Sequence, residues 1–178
     1  APAGDIHLCV GAPAPPLGAM GLRVDEYYDS FPTVLASAAD EKMLDRAGIP
    51  FFPIEGRDEV VLPGASFARS GKDYSDKGVG AFRGGDAKYV IIKFKGPEKP
   101  EWFDALEAAG AQPVGGSLSH YNIVARLQPG RLGQVSRLPF VRWMGCLEPS
   151  YKLPLPLPAS GDVKFDMAFF KEAAGDFS

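Results

Sequence analysis

Cysteine, histidine and long apolar runs are all scarce in this sequence. The 178 residues include two histidines and two cysteines; two cysteines are too few for a disulfide scaffold, and their spacing fits neither a CxxC redox motif nor a zinc site. The longest apolar stretches, such as 89–92 and 167–170, are far shorter than the roughly 20 residues of a membrane-spanning helix. The composition therefore predicts no membrane insertion, no metal and no other cofactor.

An excess of basic charge is lacking as well. The formal net charge is -3 at pH 7, and Lys and Arg form no dense run. Nucleic acids and anionic membrane surfaces attract proteins that cluster positive charge. We therefore expect neither of them as a partner.

The sequence has the composition of a globular protein and is rich in glycine and proline. Hydrophobic residues make up 46% and charged residues 23%, which allows a packed core. Glycine and proline break the chain into segments, and the glycine-rich, polar stretch 72–86 is typical of a linker. These signals predict four parts: a first α/β module at 1–71, a linker at 72–86, a second module at 87–152, and a Pro-rich connector that leads into a further module at 153–178.

The second module has the clearest pattern of strands and helices. Trp102 and Leu106 recur at helical spacing in a segment that begins at Pro100 and stops at Gly110. The predicted order is β-α-β-β-α-β, the ferredoxin-like arrangement, in which both helices cover one face of an antiparallel sheet. We therefore expect the other face to be open to a partner. The predicted elements are strands at 89–94, 112–114, 121–127 and 140–144, and helices at 100–109 and about 132–138.

The first module is predicted to repeat the first four elements of the order found in the second module. A strand at 31–37, a helix at 39–47 and two strands at 49–54 and 59–62 give β-α-β-β, the opening of the later module. The fold class predicted for the chain is therefore α+β, built from tandem ferredoxin-like (βαββαβ) modules with antiparallel sheets.

Several residues of the second module, taken in order and with their spacing, form a pattern that recurs in one protein family. They are the strand at 89–94 and then Lys95, Gly96, Pro97, Glu101, Trp102, Leu106, Gly110, Ala111, Tyr121, Leu138, Pro139, Val141, Arg142, Trp143, Pro149, Ser150, Tyr151 and Lys152. In this order, residues 88–152 resemble the N-terminal propeptide-type region of secreted subtilisin-like (subtilase) serine proteases. The earlier half of the chain resembles that region only loosely.

The resemblance implies a non-catalytic role in an extracellular protease precursor. Propeptide-type modules of this family assist the folding of the catalytic domain and inhibit it with their C-terminal extension. The implied partner is the cognate subtilisin-like catalytic domain of the same precursor, and the region is either removed or retained as an accessory region. The residues expected to bind this partner are Tyr121, Arg142, Pro149, Ser150, Tyr151, Lys152 and Leu153.

The sequence does not predict an enzyme in this segment. Ser66 lies in a stretch similar to the Gly-Thr-Ser-x-Ala motif of subtilisins, but the Thr is replaced and the Asp and His motifs of the triad are missing. A serine without an activating base is a weak nucleophile. Two other functions stay open: a structural protein-interaction module of a repeated extracellular protein, and an enzyme or small-molecule sensor on the same fold.

Two details concern single residues. Cys9 and Cys146 are compatible with a disulfide in an oxidising compartment and equally with two buried thiols.

Alternation along the last strand predicts that Val141 and Trp143 share one face of the sheet, both in the core.

Overall fold

A computed structural model of the chain describes residues 6–11, 16–54, 59–62, 65–68, 88–115, 118, 121–147, 151 and 160–161. The chain divides into two compact units, Ala1–Glu55 and Gly56–Ser178. The described residues form an α+β structure with two four-stranded antiparallel sheets, a separate two-stranded sheet and three short α-helices. The predicted linker at 72–86 and residues 162–178 of the predicted further module lie outside the described residues.

The first unit consists of one sheet with a helix packed on it. Its strands run in the order β2-β3-β1-β4, and each neighbouring pair is antiparallel. A turn of 3-10 helix at Leu17–Met20 joins β1 to β2. The elements are β1 (Ile6–Val10), β2 (Arg23–Tyr27), β3 (Pro32–Ala36), α1 (Ala38–Arg46) and β4 (Phe51–Pro53).

Helix α1 begins where Ser37 and Asp40 cap each other. The Ser37 hydroxyl accepts a hydrogen bond from the Asp40 N–H at 3.3 Å, and the Asp40 carboxylate accepts one from the Ser37 N–H at 2.8 Å. This capping box satisfies backbone donors that the first turn leaves unpaired. The helix then buries Leu44 completely and Met43 partly. The core of the unit consists of Leu8, Val10, Leu17, Leu22, Val34, Ala36 and Leu44.

The predicted β-α-β-β order of the first module is wrong in two respects. Strand β3, predicted as the opening strand, is the third strand in chain order, because β1 and β2 precede it. Strand Glu59–Leu62, predicted as the fourth element of this module, lies beyond Glu55 in the second compact unit. It pairs with the neighbouring strand in a hairpin and with no strand of the first sheet. The first compact unit therefore ends at Glu55, before the predicted boundary at residue 71.

The second unit begins with a hairpin and continues with the predicted β-α-β-β-α-β order. In its sheet the strands run β10-β7-β9-β8, all antiparallel. The second helix is shorter than predicted, a single turn. The elements are β5 (Glu59–Leu62), β6 (Ala65–Ala68), β7 (Lys88–Phe94), α2 (Pro100–Ala108), β8 (Ala111–Pro113), β9 (Asn122–Leu127), α3 (Leu132–Val135) and β10 (Val141–Cys146).

Helix α2 packs on the sheet through aromatic side chains. Trp102 and Leu106 are buried, as the helical spacing predicted. The Trp102 ring lies 5.6 Å from the ring of Phe94 in β7 and stacks at 5.0 Å on Phe140, with an interplanar angle of 5°. The ring of Phe103 meets Phe94 edge to face at 6.0 Å. The side of the sheet that carries Phe94 is therefore the helix face.

Gly110 ends α2 with a backbone conformation that other residues resist. Its φ is +93°, directly after the C-cap Ala109, and a Cβ placed there would lie 2.6 Å from Cγ of Arg131. This confirms the predicted helix stop. Its backbone also contributes contacts, because its carbonyl accepts a hydrogen bond from the Gln128 N–H at 2.9 Å.

We expect Gly110→Ala to lower the free energy of unfolding of the second unit by about 1–2 kcal/mol, because an L-residue resists positive φ. The matched control is Gly133→Ala in α3. Gly133 does not have positive φ, and nothing lies within 4 Å of the added Cβ. Urea denaturation followed by tryptophan fluorescence measures both, and an equal response of the two variants would contradict the assignment.

Candidate functional site: the outer face of the second sheet

The face of the second sheet that points away from α2 is called the outer face below. Side chains alternate along a strand, so Phe94 and Ile92 on the helix face put Ile91 and Lys93 on the outer face. In the β7–β9 register Ile91 is opposite Val124 and Lys93 is opposite Asn122. These residues are 9% exposed or less, so the centre of the outer face is buried.

Side chains of β5 cover the part of the outer face that carries Ile91 and Trp143. Val60 and Leu62 of β5 form one buried cluster with Ile91 and Trp143. Three further side chains, those of Leu118, Leu147 and Tyr151, pack partly buried against this cluster. The expectation of an open sheet face is therefore wrong for the described part of the sheet. Val60 and Leu62 belong to a segment that was predicted to be part of the first module.

Trp143 points to the outer face because β10 contains a bulge. Val141 is opposite Phe94 and Trp143 is opposite Lys93, so two steps along β10 match one step along β7. The additional residue, Arg142, shifts the alternation, and Val141 and Trp143 end up on opposite faces. The prediction that they share a face is wrong, although both are buried at 1% exposure.

Gly145 makes room for the Trp143 ring. A Cβ at Gly145 would lie within 3.0 Å of three carbons of the indole, so the ring lies directly over this backbone position. Gly145 is opposite Ile91 in the β7 register and so shares the outer face with Trp143. The absence of a side chain at this position decides where the indole lies.

Lys93 and Asn122 are the polar part of the outer face. Both are 0% exposed and they are opposite each other across β7 and β9. A buried lysine is rare, because its ammonium group loses hydration unless polar groups surround it. Neither residue was predicted as a site residue from the sequence. Alternation within β7 could have placed Lys93 on the face of Ile91, although it could not show that this face is covered.

The predicted partner-binding residues occupy three different places. Tyr151 lies half-buried on the cluster of Val60, Leu62, Ile91 and Trp143. Arg142 is the half-buried bulge residue of β10. Tyr121 precedes β9 with a φ of +61°, and its carbonyl accepts a hydrogen bond from the Phe94 N–H at 2.9 Å. The other predicted residues, Pro149, Ser150, Lys152 and Leu153, lie outside the described residues.

The side chains of the described ranges were compared with the requirements of a metal site and of a membrane span. No group of three or more His, Cys, Asp or Glu side chains that could hold a metal ion occurs in this part of the chain. Ser66 lies in β6 opposite Val61, His7 lies in β1, and His120 is outside the described residues. Within the same coverage, no helix has the length and apolarity needed to cross a bilayer.

Both cysteines are partly buried thiols in the structure. Burial raises the pKa of the Cys9 thiol above its ordinary value, which lowers the fraction of reactive thiolate. Cys9 belongs to the first unit and Cys146 to the second. The disulfide and the two separate thiols that the sequence allows therefore differ in whether the two units are covalently linked.

Three comparisons with known proteins found no match to this chain, either among protein-family models, among curated proteins or among solved structures.

Proposed function

We propose that this chain is a non-catalytic pro-region or accessory region of a secreted subtilisin-like serine protease, and that it assists and inhibits the catalytic domain. The observation that carries the proposal is the fit between the resemblance and the fold. The residues that carry the resemblance include the buried Trp102 and Leu106, the positive-φ Gly110 and the buried Trp143. A family pattern of this kind is expected to preserve core and turn positions.

The strand order supports a ferredoxin-like fold for both units as part of this proposal. In the second sheet, the first strand in chain order lies between the fourth and the third, and the second strand is at the edge. The first sheet has the same arrangement, since its order read from the other edge is β4-β1-β3-β2. The turn at Leu17–Met20 takes the place of the first helix there. Two units with the same pairing are consistent with a tandem repeat of one module.

Tyr151 supports the inhibitory part of the proposal. Tyr151 packs soon after the end of β10 on the cluster of Val60, Leu62, Ile91 and Trp143, called the outer-face cluster below. The tail that follows therefore begins next to a side chain that is held in place. An extended tail can add a strand to a protease cleft by main-chain hydrogen bonds. Anchoring the start of the tail reduces the conformational entropy that is lost when the tail binds. The prolines of 153–158 have the same effect because they restrict the backbone before binding. Proline also lacks the backbone N–H and resists being the scissile residue.

The second candidate function is a structural interaction module, and two exposed aromatic side chains favour it. Tyr27 is 68% exposed and Phe52 is 66% exposed, on the two edge strands of the first sheet. Exposed aromatic residues occur frequently in protein interfaces. An interaction module requires no protease cleft. A measurement of protease inhibition, described next, therefore separates it from the pro-region function.

The test is a titration of the subtilisin-like domain from the same precursor with this chain. We expect inhibition by the full chain and an inhibition constant at least about tenfold weaker for a version that ends at Tyr151. That end point keeps Leu147 and Tyr151, which pack on the outer-face cluster, and removes only the tail. Refolding of the same domain should be faster in the presence of either version.

A substitution at Tyr151 tests whether the anchored side chain contributes to inhibition. Tyr151→Ala in the full chain should weaken inhibition without unfolding the second unit, because Tyr151 is only half-buried. A precursor that encodes no subtilisin-like domain, or a domain that binds neither version, would refute the protease function and leave the interaction module.

A further inference from the structure

We draw no further inference here: the strongest candidate, the surface patch of the first sheet where the exposed Phe52 of β4 lies opposite the partly buried Cys9 of β1, carries none because nothing in the described part of the chain shows what covers it.

Discussion

Leu106→Ala should lower the free energy of unfolding of the second unit by about 2–5 kcal/mol. Leu106 is fully buried in α2, the helix that also places Trp102 on Phe94 and Phe140. The loss combines the transfer free energy of the missing methyl groups with the cavity left between helix and sheet. Total stabilities of domains are only about 5–15 kcal/mol, so the loss is a large fraction of what keeps this unit folded.

Tryptophan fluorescence follows this unit selectively. The chain has two tryptophans, Trp102 and Trp143, and both lie in the second unit. Glu107→Ala is the control, since Glu107 is the exposed neighbour of Leu106 on the same helix and should change stability by no more than about 0.5 kcal/mol. A loss below about 1 kcal/mol for Leu106→Ala would show that α2 packs differently from the structure.

Trp143→Ala should cost about 3–5 kcal/mol, the range for truncation of a large buried aromatic side chain. The indole is 1% exposed and connects the sheet to the hairpin cluster of Val60 and Leu62. Its removal takes the largest side chain out of the cluster that Val60 and Leu62 form with Ile91. Equilibrium urea unfolding, followed by the remaining Trp102 signal and by circular dichroism, measures the loss.

A double-mutant cycle with Gly145→Ala tests the position of the indole. Alone, Gly145→Ala should cost about 1–3 kcal/mol, because its Cβ collides with the Trp143 ring. In the Trp143→Ala background the ring is absent and this cost should largely disappear, which makes the two changes strongly non-additive. If Trp143→Ala is too unstable to measure, Trp143→Leu completes the same cycle. Additive losses would show that the indole does not lie over Gly145.

Local sequence signals located most elements of the second unit. The apolar stripe of Trp102 and Leu106, Pro100 at the start and Gly110 at the end predicted α2 closely. These signals work because helix initiation, termination and amphipathic spacing are properties of adjacent residues. The β-branched run of β7 and the segment of β9 were found for the same reason. The strands β1 and β2 and the turn at Leu17–Met20 were not among the predicted elements of the first module, because single short elements carry weak signals.

The sequence by itself determined the composition class, the lack of a recognisable triad and the order of elements in residues 87–152, since each depends on residue type and local spacing. Only the tertiary structure decided which face Trp143 occupies, because a bulge at Arg142 shifts the alternation and depends on the pairing with β7. It also decided that Lys93 and Asn122 are buried and that the outer face is covered. The covering residues, Val60 and Leu62, are far from Ile91 and Trp143 in the sequence. Burial of a face depends on contacts between segments distant in sequence, and these have no local pattern from which to be read.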